Sequence, residues 1–167
     1  MLFPRGSRID DRQGWSLVEM MIVIALIGVV ATFAVPTFQN YVRNQNLKTA
    51  AQEISSDFFI NRERALAEGK TYRIVFDDVG NQYTIDERTA LGPPVVYTTL
   101  QTKRIAASAT ATDGIVIDTS AANTLIFTFQ SRGTISSGTL NLKNAIDSKA
   151  VITVNFPSKT YVVYNLK

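Results

Sequence analysis

The chain has a long run of apolar residues near its start. No charged residue occurs between Glu19 and Arg43, and roughly twenty apolar residues are enough for a helix to cross a bilayer core of about 30 Å. This run and the periodic pattern that follows it predict one long helix over residues 15–69. We expect residues 16–38 of this helix to span a membrane.

Residues 39–69 place apolar positions three or four residues apart, a pattern typical of an amphipathic helix that packs on a folded domain. Gly69, followed by Lys70, is a typical helix stop. The apolar positions are Tyr41, Leu47, Ala50, Ala51, Ile54, Phe58 and Ala65. The charged positions Arg43, Lys48, Glu53, Asp57 and Arg62 fall mostly on other sides of the predicted helix.

Beyond Gly69, apolar and polar residues alternate with a period of two, as in strands with one buried face. Tyr72, Ile74 and Phe76 predict a first strand, and a turn at residues 78–81 predicts a hairpin with residues 82–85. Further strands are predicted at residues 95–100, 114–118, 124–130, 139–143, 151–156 and 161–165, with a loop at residues 105–112. The predicted fold class is α+β: a long N-terminal transmembrane helix packed on an antiparallel β-sheet domain of about seven strands over residues 70–167.

The apolar run has competing interpretations. One is a secretory signal peptide cut near residues 32–34, although the run is long for that purpose and Pro36 lies just beyond the cut. A second is an ordinary single-pass anchor in which Glu19 is incidental. A third is the buried helix of a soluble protein, which the length and the missing polar face argue against. Arg5, Arg8 and Arg12 precede the run and favour a cytoplasmic N-terminus.

Glu19 is a single carboxylate at the start of the apolar helix. A lone charge among apolar residues is costly, by about 2.5–3.5 kcal/mol at a helix centre and less near the interface. Buried in a bundle of apolar helices, the carboxylate needs a partner of opposite charge. The residue is therefore a functional candidate, although it can also reach the lipid headgroups.

The segment Gly14-Trp15-Ser16-Leu17-Val18-Glu19, followed by the apolar run, resembles the type IV prepilin signature. The resemblance implies that a prepilin peptidase cuts after Gly14, that residues 1–14 are a leader peptide, and that the Trp15 amine is then methylated. Trp15 departs from the Phe or Met that is usual in the family. The resemblance also implies that Glu19 pairs with the new α-amino group of Trp15 on a neighbouring subunit. Pro36, which has no amide proton, should kink the helix or locally melt it.

The β segment Leu125–Phe129 contains Phe-x-Phe, and Gly133 and Gly138 bound the strand that follows. This pattern resembles the C-terminal domain of the minor pseudopilin H of type II secretion and of FimT-type minor pilins. The strand pattern alone predicts that Phe127 and Phe129 are core residues packed against Ile54 and Phe58.

The resemblance implies a pilin-like fold and a minor pseudopilin subunit of the type II secretion system. The alternative within the same class is a minor pilin of a type IV pilus, acting in assembly or DNA uptake. The protein would cross the cell inner membrane once, with a cytoplasmic N-terminus and a periplasmic domain that joins a filament. The implied partners are other pilin-like subunits, the prepilin peptidase, an inner-membrane assembly platform and membrane lipid.

Composition narrows the alternatives. The chain has no Cys and no His, which removes thiolate nucleophiles, His bases and the usual zinc ligand sets. Many major pilins have a Cys-bounded loop, so the absence of Cys favours a minor pilin or a pseudopilin. No Gly-rich phosphate loop or Ser-Lys spacing is present. We therefore predict no enzyme, no cofactor and no catalytic or metal site. Two alternative functions come from other classes of protein: a periplasmic binding module with an incidental anchor, and a membrane-tethered enzyme.

The remaining candidates for chemistry are weak. Asp77-Asp78 and Asp86-Glu87 are paired acids for calcium, but Asp is common in turns for local hydrogen-bonding reasons. The pairs Arg62/Arg64 and Lys103/Arg104 could contact phosphate, yet such pairs are usually solvated. DNA-uptake pilins carry a basic Gly-Arg-x-Arg motif, and the corresponding residues 157–161 contain one Lys and no Arg. A formal charge of +3 is too small to indicate nucleic-acid binding by itself. Nucleic acid is therefore not an expected partner.

Overall fold

The computed structural model describes residues 15–90, 92–105, 114–155 and 159–167. The chain divides into two compact units, residues 1–38 and residues 39–167. One helix, α1 (Leu17–Glu68), supplies the described part of the first unit and continues into the second, which contains the strands. The predicted leader with Gly14, most of the predicted loop at residues 105–112, and residues 156–158 lie outside the described residues.

Helix α1 agrees closely with the prediction from the apolar run. It is long and apolar enough to cross a membrane by length and composition. Pro36 lies inside the helix without interrupting it, so the alternative that this residue locally melts the helix is wrong, and the kink stays a prediction. The helix ends at Glu68, and Gly69 has a φ of 65°, the left-handed conformation in which glycine commonly terminates helices.

Eight strands follow α1 in the described residues. They are β1 (Tyr72–Asp77), β2 (Gln82–Arg88), β3 (Tyr97–Arg104), β4 (Val116–Ile117), β5 (Ile126–Phe129), β6 (Gly138–Lys143), β7 (Lys149–Asn155) and β8 (Lys159–Asn165). They form two four-stranded antiparallel sheets, with strand orders β3-β2-β1-β5 and β4-β6-β7-β8. Strands β1 and β2 form the predicted hairpin, with Ile74 opposite Ile85.

The antiparallel β domain is confirmed, and its strands divide into two sheets, a division that the sequence pattern did not specify. The division arises at β5, which pairs with β1 rather than with β6, its successor along the chain. Strands β6, β7 and β8 then pair in sequence order and form a separate meander joined by β4. The alternation of apolar residues identifies strands but not their partners, because each strand has the same period whichever neighbour it takes.

The core of the second unit lies where α1 meets the strands. Phe58 of α1 is fully buried, and its ring centroid lies 4.8 Å from that of Phe127 and 5.8 Å from that of Phe129. Phe76 of β1 packs edge-on against Phe58 at 6.2 Å. The predicted contact of Phe127 and Phe129 with the Phe58 face of the helix is therefore confirmed. Ile54 belongs to the same buried cluster.

Two helix positions contradict the amphipathic prediction. Tyr41 was expected on the packed face and is exposed. Asp57 was expected among the polar positions and is buried, because its carboxylate accepts hydrogen bonds from the Tyr83 hydroxyl at 2.6 Å and the Lys103 ammonium at 2.8 Å. A buried carboxylate with two such donors avoids the desolvation cost of an unpaired charge.

Candidate assembly surface

The first turn of α1 contains the candidate carboxylate. Ser16 precedes the helix, and its carbonyl accepts the first helical hydrogen bond, from the Met20 amide at 3.2 Å. Glu19 lies in this first turn, where a negative charge is favourable beside the free amides of the helix N-terminus. Residues 15–42 contain no Lys or Arg, so this stretch offers the carboxylate no basic side chain. Gly14, the predicted cleavage residue, lies outside the described residues, and Trp15 is exposed just before the helix.

Ser16 and Glu19 also have the Ser-x-x-Glu spacing of a helix capping box. This signal can be read directly from the residues, and it is independent of the apolar run and of the prepilin resemblance. The spacing suits Glu19 to support the start of the helix, beside the pairing role that the resemblance implies. The two roles differ in what they require: a capping box accepts Glu or Gln, whereas pairing with an amine favours the charge.

Two threonines in the apolar part of α1 form hydrogen bonds within the helix. The Thr32 hydroxyl donates to the Gly28 carbonyl at 3.0 Å, and the Thr37 hydroxyl donates to the Phe33 carbonyl at 3.1 Å. These local bonds let a threonine sit in an apolar environment without an unpaired donor. Pro36 has no amide proton and leaves the Thr32 carbonyl without its usual helical donor.

In the second unit, α1 has an exposed stripe that carries no charge. Its members are Tyr41, Gln45, Thr49, Gln52, Ser56, Phe59 and Ile60, which follow one another at steps of one, three or four residues and are all exposed. We call these residues the outer stripe. A helix face that only contacts water normally contains charged residues. Phe59, with 61% of its surface exposed, is the largest apolar side chain in the stripe.

The paired acids do not form a cation site in the described residues, where no cluster of three or more carboxylates is found. Asp77 accepts a bond from the Val79 amide at 3.1 Å, which is a turn interaction. Asp86 pairs with Arg73 at 2.8 Å, and Glu87 with Lys70. These contacts favour the turn and ion-pair interpretation over calcium.

Three of the four residues in the basic pairs contact other groups of the protein rather than forming a cluster for phosphate. The Arg62 guanidinium donates to the Gly133 carbonyl at 2.9 Å and contacts Glu63. Arg64 pairs with Glu68 at 2.8 Å. Lys103 binds Asp57, and its neighbour Arg104 is exposed on β3. Of the stretch predicted to correspond to a DNA-binding motif, Lys159 and Tyr161 lie on β8, and residues 157 and 158 lie outside the described part of the chain.

Comparison with known proteins supports the resemblance to prepilins that the N-terminal residues indicate. The sequence family described as the prokaryotic N-terminal methylation motif matches residues 10–35. A fimbrial protein of Pseudomonas aeruginosa is 37% identical over 59 residues, which is 35% of this chain and 38% of that protein. A type IV major alpha-pilin of Moraxella bovis is 37% identical over 62 residues, again 38% of its length. The chain thus spans about two fifths of the curated relatives that it matches.

Solved structures resemble the chain over a longer stretch. The minor pseudopilin EpsH from the type II secretion system of Vibrio cholerae superposes with a TM-score of 0.56 at 12% identity, covering 73% of this chain and 98% of EpsH. The type IV minor pilin FimU of Pseudomonas aeruginosa gives a TM-score of 0.53 at 17% identity, covering 74% of this chain and 92% of FimU. At these identities the likeness shows the fold.

The motif and the fold define a class: the N-terminal segment matches the methylation motif, and the chain has the fold of type IV pilin-like proteins. It is related to pilins through its N-terminal segment and has the fold of minor pilins and minor pseudopilins. Proteins of this class are structural subunits rather than enzymes, in agreement with the sequence prediction.

Proposed function

We propose that this chain is a minor pseudopilin subunit of a type II secretion pseudopilus, a structural component for protein export across the outer membrane. The observation that carries the proposal is the combination of an N-terminal methylation motif with a domain similar in fold to almost the whole of EpsH. The absence of Cys in the chain also favours a minor subunit, by the resemblance set out above.

A specific observation favours a second candidate, a type IV pilus minor pilin that acts in assembly or DNA uptake. The fold likeness to FimU is nearly as high as that to EpsH. The relatives of the N-terminal segment include fimbrial proteins. Both machines assemble filaments from subunits with the same kind of N-terminal helix, so this helix supports either candidate.

In both candidates the chain begins as a single-pass inner-membrane protein. Residues 1–14 are the cytoplasmic leader, the peptidase cuts after Gly14, and the Trp15 amine is methylated. Residues 16–38 cross the membrane, and the β domain faces the periplasm. The partners are other pilin-like subunits, the prepilin peptidase, the inner-membrane assembly platform and lipid.

The charge of Glu19 provides a driving force for assembly of the subunit into a filament. The helix segment supplies no basic side chain to this carboxylate, and the cost of an unpaired charge rises as the helix moves from the membrane into a filament core. Cleavage creates an α-amino group at Trp15, and pairing with this group of a neighbouring subunit offsets that cost. The pairing therefore sets the register of the incoming subunit.

The outer stripe of α1 extends this contact beyond the membrane. Its uncharged side chains, above all Phe59 and Ile60, suit packing against the helix of a neighbouring subunit. Charged flanking residues such as Glu53 and Arg62 are partly buried beside the β domain. From Tyr41 to Ile60 the exposed positions of the helix are thus free of the charges that would oppose helix packing. Exposed charges begin beyond the stripe, at Glu63 and Arg64.

The secretion assignment is tested by mass spectrometry of culture supernatants from a deletion strain and from the same strain complemented with the gene. We expect a discrete set of exported proteins to be lost from the medium and retained in the periplasm of the deletion strain. An unchanged set of exported proteins, together with lost surface piliation, would overturn the secretion assignment in favour of the pilus candidate.

The role of Glu19 is tested with two variants in the complemented strain. Glu19→Gln keeps the capping-box residue type and removes the charge, whereas Glu19→Ala removes both. If the carboxylate pairs with an amine, both variants fail to enter filaments while remaining in the membrane fraction. If Glu19→Gln assembles normally and Glu19→Ala does not, Glu19 acts by capping the helix and the pairing role is wrong.

A further inference from the structure

Strand β8 has an open edge. In the described part of the chain its one neighbouring strand is β7, so it lies at the end of its sheet. An edge strand presents unpaired backbone amide and carbonyl groups to any extended chain. Residues 160–164 read Thr-Tyr-Val-Val-Tyr: they are β-branched or aromatic, which favours strand pairing, and they include no charge and no proline.

The other sheet edges of the described residues are shorter or obstructed. On β3 the pairing with β2 skips Leu100, which is a β-bulge, and Lys103 turns inward to Asp57. Bulges and inward charges are devices that block edge pairing. On β5 the Ser136 amide donates to the Thr128 carbonyl at 3.0 Å. Strand β4 has two residues. Strand β8 lacks these forms of protection.

We propose that β8 pairs with β8 of a second copy of this chain, antiparallel and centred on Val162. In this register all seven residues of the strand are paired. Val162 lies opposite Val162 of the second copy, Tyr161 opposite Val163, Thr160 opposite Tyr164, and Lys159 opposite Asn165. Pairs of an aromatic with a β-branched residue are favourable across strands, and the two lysines are kept at opposite ends.

The two faces of the strand agree with this register. Along β8 the side chains alternate between exposed, at odd numbers, and half-buried, at even numbers. Pairing centred on Val162 places odd positions opposite odd positions, so exposed residues such as Tyr161 and Val163 meet one another. The half-buried Val162 and Tyr164, which pack beside the core, gain a cover from the second copy. If the register of the two strands were shifted by one residue, exposed side chains would lie opposite half-buried ones.

The pair is closed by its two-fold symmetry, so it does not propagate along a filament. It therefore belongs to unassembled copies in the membrane and goes beyond the filament role proposed above. A ribbon of two short strands buries less than the roughly 1,200–2,000 Å² typical of stable interfaces. Anchoring both copies in one membrane raises their effective concentration and favours such a weak contact.

The chain has no Cys, so introduced cysteines report the register directly. Opposite residues in an antiparallel pair have Cα atoms about 4.5–5.5 Å apart, within the range that a disulfide bridges. In the full chain reconstituted in lipid vesicles, which hold both copies in one membrane, we expect Val162→Cys to give a cross-linked dimer on mild oxidation. Thr160→Cys alone should not, because its two copies lie about 13 Å apart along the strands. Thr102→Cys, on the edge strand β3, is the control.

A second pair of variants avoids any change to half-buried side chains. Tyr161→Cys and Val163→Cys replace exposed residues, and a mixture of the two should cross-link as a heterodimer. The proposal is overturned if Val162→Cys dimerises no more than Thr102→Cys, or if Thr160→Cys dimerises equally well, which indicates unspecific collision. Because the measurement uses vesicles without filament assembly, its outcome is independent of the secretion or pilus assignment.

Discussion

The ammonium of Lys103, on strand β3, lies 2.8 Å from each carboxylate oxygen of Asp57, on helix α1. The Tyr83 hydroxyl of β2 donates to the same carboxylate at 2.6 Å. One buried carboxylate on the helix thus joins it to two strands of the sheet. Burial and the hydrogen bond to Asp57 raise the pKa of Tyr83 well above its usual value, so this hydroxyl stays protonated and keeps donating.

Lys103→Ala should destabilise the protein by about 3 kcal/mol, because it leaves the buried Asp57 carboxylate without its counter-charge. Arg64→Ala is the matched control: it breaks the exposed ion pair with Glu68 on the same helix and should cost about 1 kcal/mol or less. Denaturant unfolding of both variants in micelles measures the difference. Equal losses would show that the Asp57 contact does not hold the helix to the sheet.

Phe58 and Phe59 are neighbours in sequence with opposite surroundings. Phe58→Ala opens a cavity among Phe76, Phe127 and Phe129 and should cost about 3–5 kcal/mol. Phe59→Ala changes an exposed side chain and should alter stability by about 0.5 kcal/mol or less. Thermal unfolding measures both. Phe59→Ala should nevertheless reduce recovery of the protein in filaments, and normal recovery would contradict the role of the outer stripe.

Acid should weaken the β domain through Asp118. This carboxylate is fully buried, and hydrogen bonds from Lys149 at 2.7 Å and from Ser120 hold its pKa well below the usual value. A group whose pKa is lower in the folded state contributes stability above its unfolded pKa of about 4 and loses that contribution as the pH falls further.

Asp118→Asn should therefore lower the free energy of unfolding at neutral pH and flatten its decline below about pH 4. Asp147→Asn is the control. Asp147 also has a lowered pKa because of Lys167, but that pair is exposed and salt screens it. A pH series of unfolding curves at low and high salt separates the two sites. An unaltered decline in Asp118→Asn would refute this explanation.

Gly133 should not tolerate a side chain. Its φ is +78°, and a Cβ atom there would lie 2.8 Å from a methyl carbon of Leu66. Gly133→Ala should cost about 1 kcal/mol or more and weaken the bond from Arg62 to the Gly133 carbonyl. Gly92→Ala, which meets no atom within 4 Å, should be neutral. Thermal unfolding of the two variants distinguishes a strained turn from a permissive one.

Much of the fold follows from local patterns in the sequence. Helix α1 extends to Glu68 because apolar positions recur up to Gly69, which then ends the helix. The β1–β2 hairpin and the burial of Phe127 and Phe129 also follow from alternation and turn residues. These features depend on contacts between residues close in sequence, or on one face of one element.

The features that local patterns did not reveal depend on partners distant in sequence. Asp57 lies beside Phe58 at the border of the packed helix face, and its burial depends on Tyr83 and Lys103, which are 26 and 46 residues away. The two-sheet division depends on β5 returning to β1. Glu19 is visible in the sequence because a charge at the start of an apolar helix needs no tertiary contact to be recognised.

The central claim, that the chain is processed and assembled as a pilin-like subunit, is tested most directly at its N-terminus. Mass spectrometry of the N-terminal peptide from membrane and filament fractions should find a chain that begins with methylated Trp15, and a peptidase-deficient strain should accumulate the uncut form. A mature chain that keeps Met1 in the wild-type strain would point to an ordinary anchor. One that begins after Ala34 would point to a secretory signal peptide, and either result would contradict the account.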